Sequence, residues 1–421
     1  MWSKILFLLL LPFFDSVSPR KNYEGYKVIK TDILKSENIS KELFEFVHYS
    51  ANGSLDFWIY PRLQSSSKIM STPSFFSELE EFLNKRSISF EVIIQNVERT
   101  IEIEEKTLKQ KKKLKTSRRA IDWNAYYSMD NIYRYLEELE KDNEFVSVVK
   151  YGRTFENRDL KLLRIEKAGS NAPNILVEAG IHAREWISPS MATYLMHSLI
   201  DVKNNSHYLE KFNFHIIPIA NPDGYEYSRV YDRLWRKNRR KNSGSSNCIG
   251  VDCNRNWDVY WAQSGVDHNP CSPVYPGVSP FSEAETNSIR RYVERISPTP
   301  ILSLSLHSAG SLLLIPYGYT NLVLPENYDE LIKLAREAVG ALNQVHHSNF
   351  KAVHSTDLYP ASGTSDDWYM KILGSRFAYT FELRQGGPYG FELPSEQIYP
   401  SGQELWVAFE VILDKMYNVT S

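Results

Sequence analysis

Apolar and polar positions along this chain fall into two periods, one that suits strands and one that suits helices. Segments rich in β-branched and aromatic residues at Tyr26–Ile33, Leu55–Tyr60 and Phe90–Ile94 predict strands. Between them, Lys41–His48 and Phe75–Leu83 repeat apolar residues at three-to-four spacing, and a charged helix is predicted over Glu98–Lys115. Strands alternating with helices in so short a stretch predict a small α+β open sandwich. From Ala120 onward the runs are longer. Strands are predicted at Val146–Val149, Leu160–Ile165, Ile175–Glu178, Phe212–Ile219, Ile301–His307 and Phe377–Glu382. Helical patterns separate them at Met129–Asp142, Ser188–Asp201, Ser282–Ile296, Tyr328–His346 and Ser401–Met416. Apolar strands covered by helices imply a large α/β domain with a mixed, mostly parallel sheet, flanked by helices on both faces. Ligands of such sheets sit outside the carboxyl ends of strands.

The first apolar run, Ile5–Phe14 after Lys4, has ten residues, half of what a bilayer span needs. With Ser16 and Ser18 behind it, residues 1–18 read as a secretory signal, so the expectation is a secreted, extracellular protein with no membrane span. N-x-S/T acceptors at Asn38, Asn52, Asn204 and Asn418 fit export. With 42% apolar and 24% charged residues the chain is globular, and a net charge of −2 excludes a global basic field for nucleic acid. The sharpest shift in composition is Lys109–Arg119, with seven Lys or Arg and no acid. In an exported chain this reads as an exposed junction cut by a trypsin-like protease after Arg119. It divides a pro-segment, 19–119, from a main domain, 120–421.

Chemistry gathers at predicted strand ends. His182 and Glu185 follow the strand ending at Glu178, and His307 closes another. Taken alone, the commoner explanation of such a pair is a buried histidine beside a helix start. Together, two His and one Glu make a zinc set with an open fourth position. Glu382 ends the apolar strand FAYTF, where a carboxylate needs either a salt bridge, as to Arg384, or a task as a general base. Arg236 lies in LWRKNRR, and Asn254 and Arg255 follow Gly-Val-Asp-Cys; a guanidinium fork suits a carboxylate. Arg239, Arg240 and Lys241 read as solvated.

In order, GIHAREW, the strand-ending LHS, GVDCNRNWD, LYPASGTSDDW and TFELR make the chain similar to zinc metallocarboxypeptidases of the pancreatic type, the carboxypeptidase A/B subfamily, and most of all to carboxypeptidase B-like procarboxypeptidases. The resemblance covers nearly the whole chain. It implies one Zn2+ on His182, Glu185 and His307, Glu382 as general base and Arg236 as the oxyanion partner. It implies Asn254 and Arg255 as holders of the substrate carboxylate, Arg184 along the approach, Tyr359 folding over substrate and Asp252 orienting His182. It also implies a disulfide between Cys248 and Cys271, leaving Cys253 as a buried thiol. Asp366, at the base of the pocket for the last side chain, implies release of Lys or Arg, with Gly318 and Thr380 in the wall and Asp367 as a structural acid.

The expectation is a monomeric, secreted zymogen acting on peptide and protein C-termini. Carboxypeptidase A-like specificity and a silent C-terminus-binding protein are its rivals. Two positions depart from the family pattern. Ala309 stands where many relatives carry Tyr, and Pro360 restricts the backbone of Tyr359.

Overall fold

The computed structural model describes residues 20–50, 53–113, 119–242, 248–384 and 390–420. The predicted signal segment and the acceptor Asn52 lie outside them.

The first unit holds strands β1 (Lys27–Thr31), β2 (Leu55–Ile59), β3 (Lys68–Ser71) and β4 (Phe90–Ile94), with helices α1 (Glu37–Glu45), α2 (Phe76–Lys85) and α3 (Val97–Lys113). The strands pair antiparallel in the order β2-β3-β1-β4. Side chains alternate across a strand, and here both faces are apolar. Ile29, Phe57 and Ile69 pack on Leu43, Leu79 and Leu83 of the two short helices. Val28, Trp58, Met70 and Ile94 turn the other way and meet Leu234 and Phe391 of the main domain. One sheet therefore serves a core and an interface.

The main domain is built on an eight-stranded sheet. Its strands are β5 (Val146–Arg153), β6 (Asp159–Ile165), β7 (Asn174–Ala179), β8 (Asn213–Ile217), β9 (Leu302–His307), β10 (Leu312–Ile315), β11 (Lys351–His354) and β12 (Phe377–Glu382). The order is β11-β10-β12-β9-β7-β8-β6-β5, and the central run β12-β9-β7-β8 is parallel. Strands β7, β8 and β9 are buried along their whole length, as their unbroken apolar runs require. Helices α4 (Met129–Asp142), α5 (Ile187–Ile200), α8 (Tyr328–His346) and α10 (Ile398–Thr420) supply one core. Residues of α7 (Ala284–Val293) and α9 (Ser365–Trp368) supply the other. Helix α6 (Pro222–Val230) completes the set.

Strands β3, β10 and β11 and helix α6 are absent from the sequence expectation. Each of the three strands is four residues long, too short to display a period. Helix α6 has little apolar face; the Asn221 side chain accepts from the Gly224 amide, and Pro222 fills the first turn. The expected strand Phe212–Ile219 contracts to β8, which stops before Pro218, a residue with no amide to donate.

Candidate active site

The parallel strands β7, β9 and β12 all run out at one end of the sheet, and their exits deliver the polar residues. His182 and Glu185 lie in the turn between β7 and α5, His307 is the last residue of β9, and Glu382 is the last residue of β12, in register with His307.

His182, Glu185 and His307 are all buried, and their candidate donor atoms lie within 4.8 Å of one another. His182 Nδ1 is 2.8 Å from Glu185 Oε1, and His307 Nδ1 is 3.2 Å from Glu185 Oε2 and 3.1 Å from His182 Nδ1. On its far side His182 places Nε2 3.1 Å from Asp252 Oδ1. A proton shared there leaves His182 Nδ1 as a lone pair. Two imidazole nitrogens and a carboxylate then aim at one point and repel unless a cation sits among them. This donor set, with a fourth position left open, fits zinc.

Asp252 is shared. Arg236 donates to its Oδ2 from Nε and Nη2, at 3.1 and 2.9 Å. Burial opposes its charge, but Arg236 and His182 hold its carboxyl well below the usual range. The same anion therefore orients a histidine and aims a guanidinium. Asn254 Nδ2 lies 3.4 Å from His307 Nε2. Arg255 donates to the Gly265 carbonyl, the Asn254 carbonyl and the Tyr359 hydroxyl at 3.0, 2.7 and 3.0 Å. Glu382 is half-buried; burial, with Glu185 and Asp366 adding and His307 and Arg236 opposing, pushes its carboxyl up to about 7.

Adjacent acids in α9 have different surroundings. Asp367 accepts the Gly318 amide at 2.9 Å and the Tyr319 amide at 3.3 Å. Asp366 is 6% exposed and has no hydrogen-bond or ion-pair partner among the described residues. The reading of Asp366 as merely a local hydrogen-bonder therefore finds no bond. Gly318 stands beside the pair, where an added Cβ would meet the Ala361 carbonyl at 3.1 Å.

Two further participants come from the first unit and escape sequence reasoning. Asp56 of β2 takes a two-pronged ion pair from Arg184, which also stacks over Phe391 at 4.0 Å. Tyr60 stacks on Tyr359 with ring centroids 3.8 Å apart. The one available signal was alternation: Asp56 and Trp58 share a face opposite to Leu55 and Phe57. Arg119 lies at the boundary, 2.8 Å from Asp201. Cys248 and Cys271 form a disulfide, and Cys253 is a free buried thiol pushed well up by burial.

Comparison with known proteins points to one family. The zinc carboxypeptidase family profile matches residues 132–408, and that of the carboxypeptidase activation peptide matches residues 33–104. The chain is 40% identical to carboxypeptidase B of Astacus astacus over 297 residues, covering 69% of this chain and 97% of that one. It is 32% identical to carboxypeptidase A1 of Mus musculus over 416 residues, covering 97% of each. Among solved structures, carboxypeptidase A from Helicoverpa armigera superposes with a TM-score of 0.87 at 29% identity, over 95% of this chain and 99% of that one.

Proposed function

The chain belongs to the zinc carboxypeptidase family, and from that premise we propose that it is a secreted zymogen whose main domain removes Lys or Arg from the C-termini of peptides and proteins. It is a metallocarboxypeptidase with an activation peptide; the roles of single residues and the specificity are our reading. Relatives of both A and B type match, so the specificity rests on one observation, the buried carboxylate of Asp366, which has no partner among the described residues.

His182, Glu185 and His307 would hold the zinc, which would supply a Lewis acid able to lower the pKa of water to about 7 and to polarise a carbonyl. Arg255 and Asn254 hold the terminal carboxylate of the substrate. An internal peptide brings no anion to this fork, which restricts cleavage to the chain end. Arg236 offsets the charge that develops on the scissile carbonyl oxygen, and its bond to Asp252 keeps it aimed there. Glu382 takes a proton from the attacking water and returns it to the departing nitrogen. Tyr359 covers the substrate once it no longer stacks on Tyr60. Asp366 pairs with the ammonium or guanidinium of the last residue.

The test is hydrolysis of matched peptides ending in Arg, Lys, Phe and Leu after tryptic activation, with and without a chelator. Release of Arg and Lys far above Phe, abolished by the chelator, is the expected result. Preference for Phe or Leu would refute the Asp366 reading, and zinc-loaded protein inert toward every peptide would favour the silent binder.

Residues 19–119 act as the latency device, with Asp56 on Arg184 and Tyr60 on Tyr359. Arg184 is 3% exposed. Asp56→Ala leaves that guanidinium unpaired under the pro-segment, at a cost of about 3–5 kcal/mol. After the cut, the variant pro-segment is expected to leave the main domain at least ~100-fold faster, read by gel filtration. Equal release rates would remove Asp56 from the inhibitory contact.

A further inference from the structure

The boundary between the two units buries an acid whose surroundings suit it only without its charge. Glu392 of the main domain is 4% exposed. Its neighbour Phe391 belongs to the apolar cluster that includes Val97 and Ile101 of α3. The polar and charged groups that act on Glu392 are Glu98, Thr100 and Glu104 of α3 and Arg233 of the main domain. The charged ones are already engaged. Glu98 accepts from the Arg20 side chain and, at 2.7 Å, from the Tyr23 amide. Arg233 forms a two-pronged pair with Glu104 and also donates to the Arg184 and Phe391 carbonyls, both at 2.9 Å. Neither oxygen of Glu392 meets a donor among the described residues in hydrogen-bond geometry. The Thr100 hydroxyl gives its proton to the Val97 carbonyl at 2.8 Å, so its oxygen has only lone pairs to offer Glu392. Lone pairs suit a carboxyl that carries a proton, whereas a desolvated carboxylate without a donor is costly.

We propose that Glu392 is a proton-operated latch on the pro-segment: as a neutral acid it lets α3 lie against the main domain, and as a carboxylate it drives α3 away. The latch rests on the reading of residues 19–119 as a pro-segment that departs after the cut. Burial and Glu104, with Arg233 opposing, push the docked carboxyl up to about 8, whereas a carboxyl facing water titrates near 4.3. Docking therefore takes up a proton. The contribution of Glu392 to docking is complete below the ordinary carboxylate range and is lost as pH rises through about 8. Across that window the dissociation constant rises about tenfold per pH unit. His48 of the pro-segment acts in the opposite sense at lower pH. Burial, with Arg255 and Arg236, lowers it to about 3, so docking that keeps it neutral gains strength as pH rises toward about 6.5. Between about pH 6.5 and 8 that opposition is spent and Glu392 sets the trend. A cut chain held at mildly acid pH keeps its pro-segment, and one moved to mildly alkaline pH sheds it.

The experiment dilutes the tryptically cut, zinc-loaded chain and resolves bound from free pro-segment by gel filtration at several pH values between about 6.5 and 8. Parent protein is compared with Glu392→Gln, which keeps the shape of the neutral acid, and with Glu392→Leu, which has no polar atom to leave unpaired. The parent is expected to lose about tenfold more affinity per pH unit than either variant. Near pH 7, in weak buffer, separation of the parent fragments is expected to release about one proton more than separation of the variant fragments. A merely structural part for Glu392 would shift affinity at every pH alike and leave that proton count unmoved. Parallel pH slopes in the parent and in whichever variants fold, or equal proton release, would overturn the latch. Fragments that stay together at every pH in parent and variants alike would overturn the latency reading itself, and the latch with it. All of these results are read on fragment association, apart from peptidase activity.

Discussion

Glu382→Gln is expected to lower kcat by about 10²- to 10⁴-fold, with KM, zinc content and thermal midpoint close to the parent values. The substitution keeps the shape of the side chain at the exit of β12 and removes its capacity to take a proton. Glu382 is not among the convergent metal donors, which are His182, Glu185 and His307, so zinc should stay. Its placement in register with His307 sets it beside that cluster. Loss of kcat with unchanged binding is the signature of an interaction made in the transition state alone. Full activity would exclude Glu382 as the base. Loss of zinc together with activity would assign it a structural part in the metal centre. Steady-state kinetics and metal analysis on the same preparation separate these results.

Asp366→Ile is expected to reverse the preference for the last residue. In the parent, the buried Asp366 carboxylate has no partner among the described residues, while Asp367 beside it is held by two backbone amides; on the reading proposed above, Asp366 faces the last side chain of the substrate. Burial and Asp366 together push Asp367 well up, so the pair resists carrying two charges, and a cationic guest relieves it. An apolar guest leaves the carboxylate desolvated and unpaired, and breaking such a buried pair costs about 3–5 kcal/mol, roughly 10²- to 10⁴-fold in kcat/KM. The variant should lose that factor on substrates ending in Arg and Lys and gain on those ending in Phe and Leu. A variant that still prefers Arg would locate the reader elsewhere in the pocket.

Much of the fold was legible because the long elements carry complete periods. Helices α4 and α8 run over the residues that the sequence pattern predicts, Met129–Asp142 and Tyr328–His346, and so do β4 and β12. Amphipathic faces of 14 and 19 residues leave no competing alignment. Helix α10 begins at Ile398, three residues before the predicted start, with Pro400 tolerated in its first turn. The short strands β3, β10 and β11 were illegible for the opposite reason: Leu312–Ile315 is apolar at every position, and only its neighbours β11 and β12 make it a strand.

The sequence by itself determined the chemistry of this protein. The ordered motifs make the chain resemble a zinc carboxypeptidase with an activation peptide, which the family profiles bear out, and donors, forks and bases are properties of single side chains. Only the tertiary structure decided how those groups meet. It joins His182 to His307 across 125 residues, leaves Asp366 without a partner among the described residues while Asp367 is satisfied, and lays Asp56 and Tyr60 of the pro-segment on Arg184 and Tyr359. It also makes Lys30 and Lys68 direct partners across β1 and β3. Such pairings depend on register and on which face of a strand is turned to which neighbour, and packing of the whole chain fixes both.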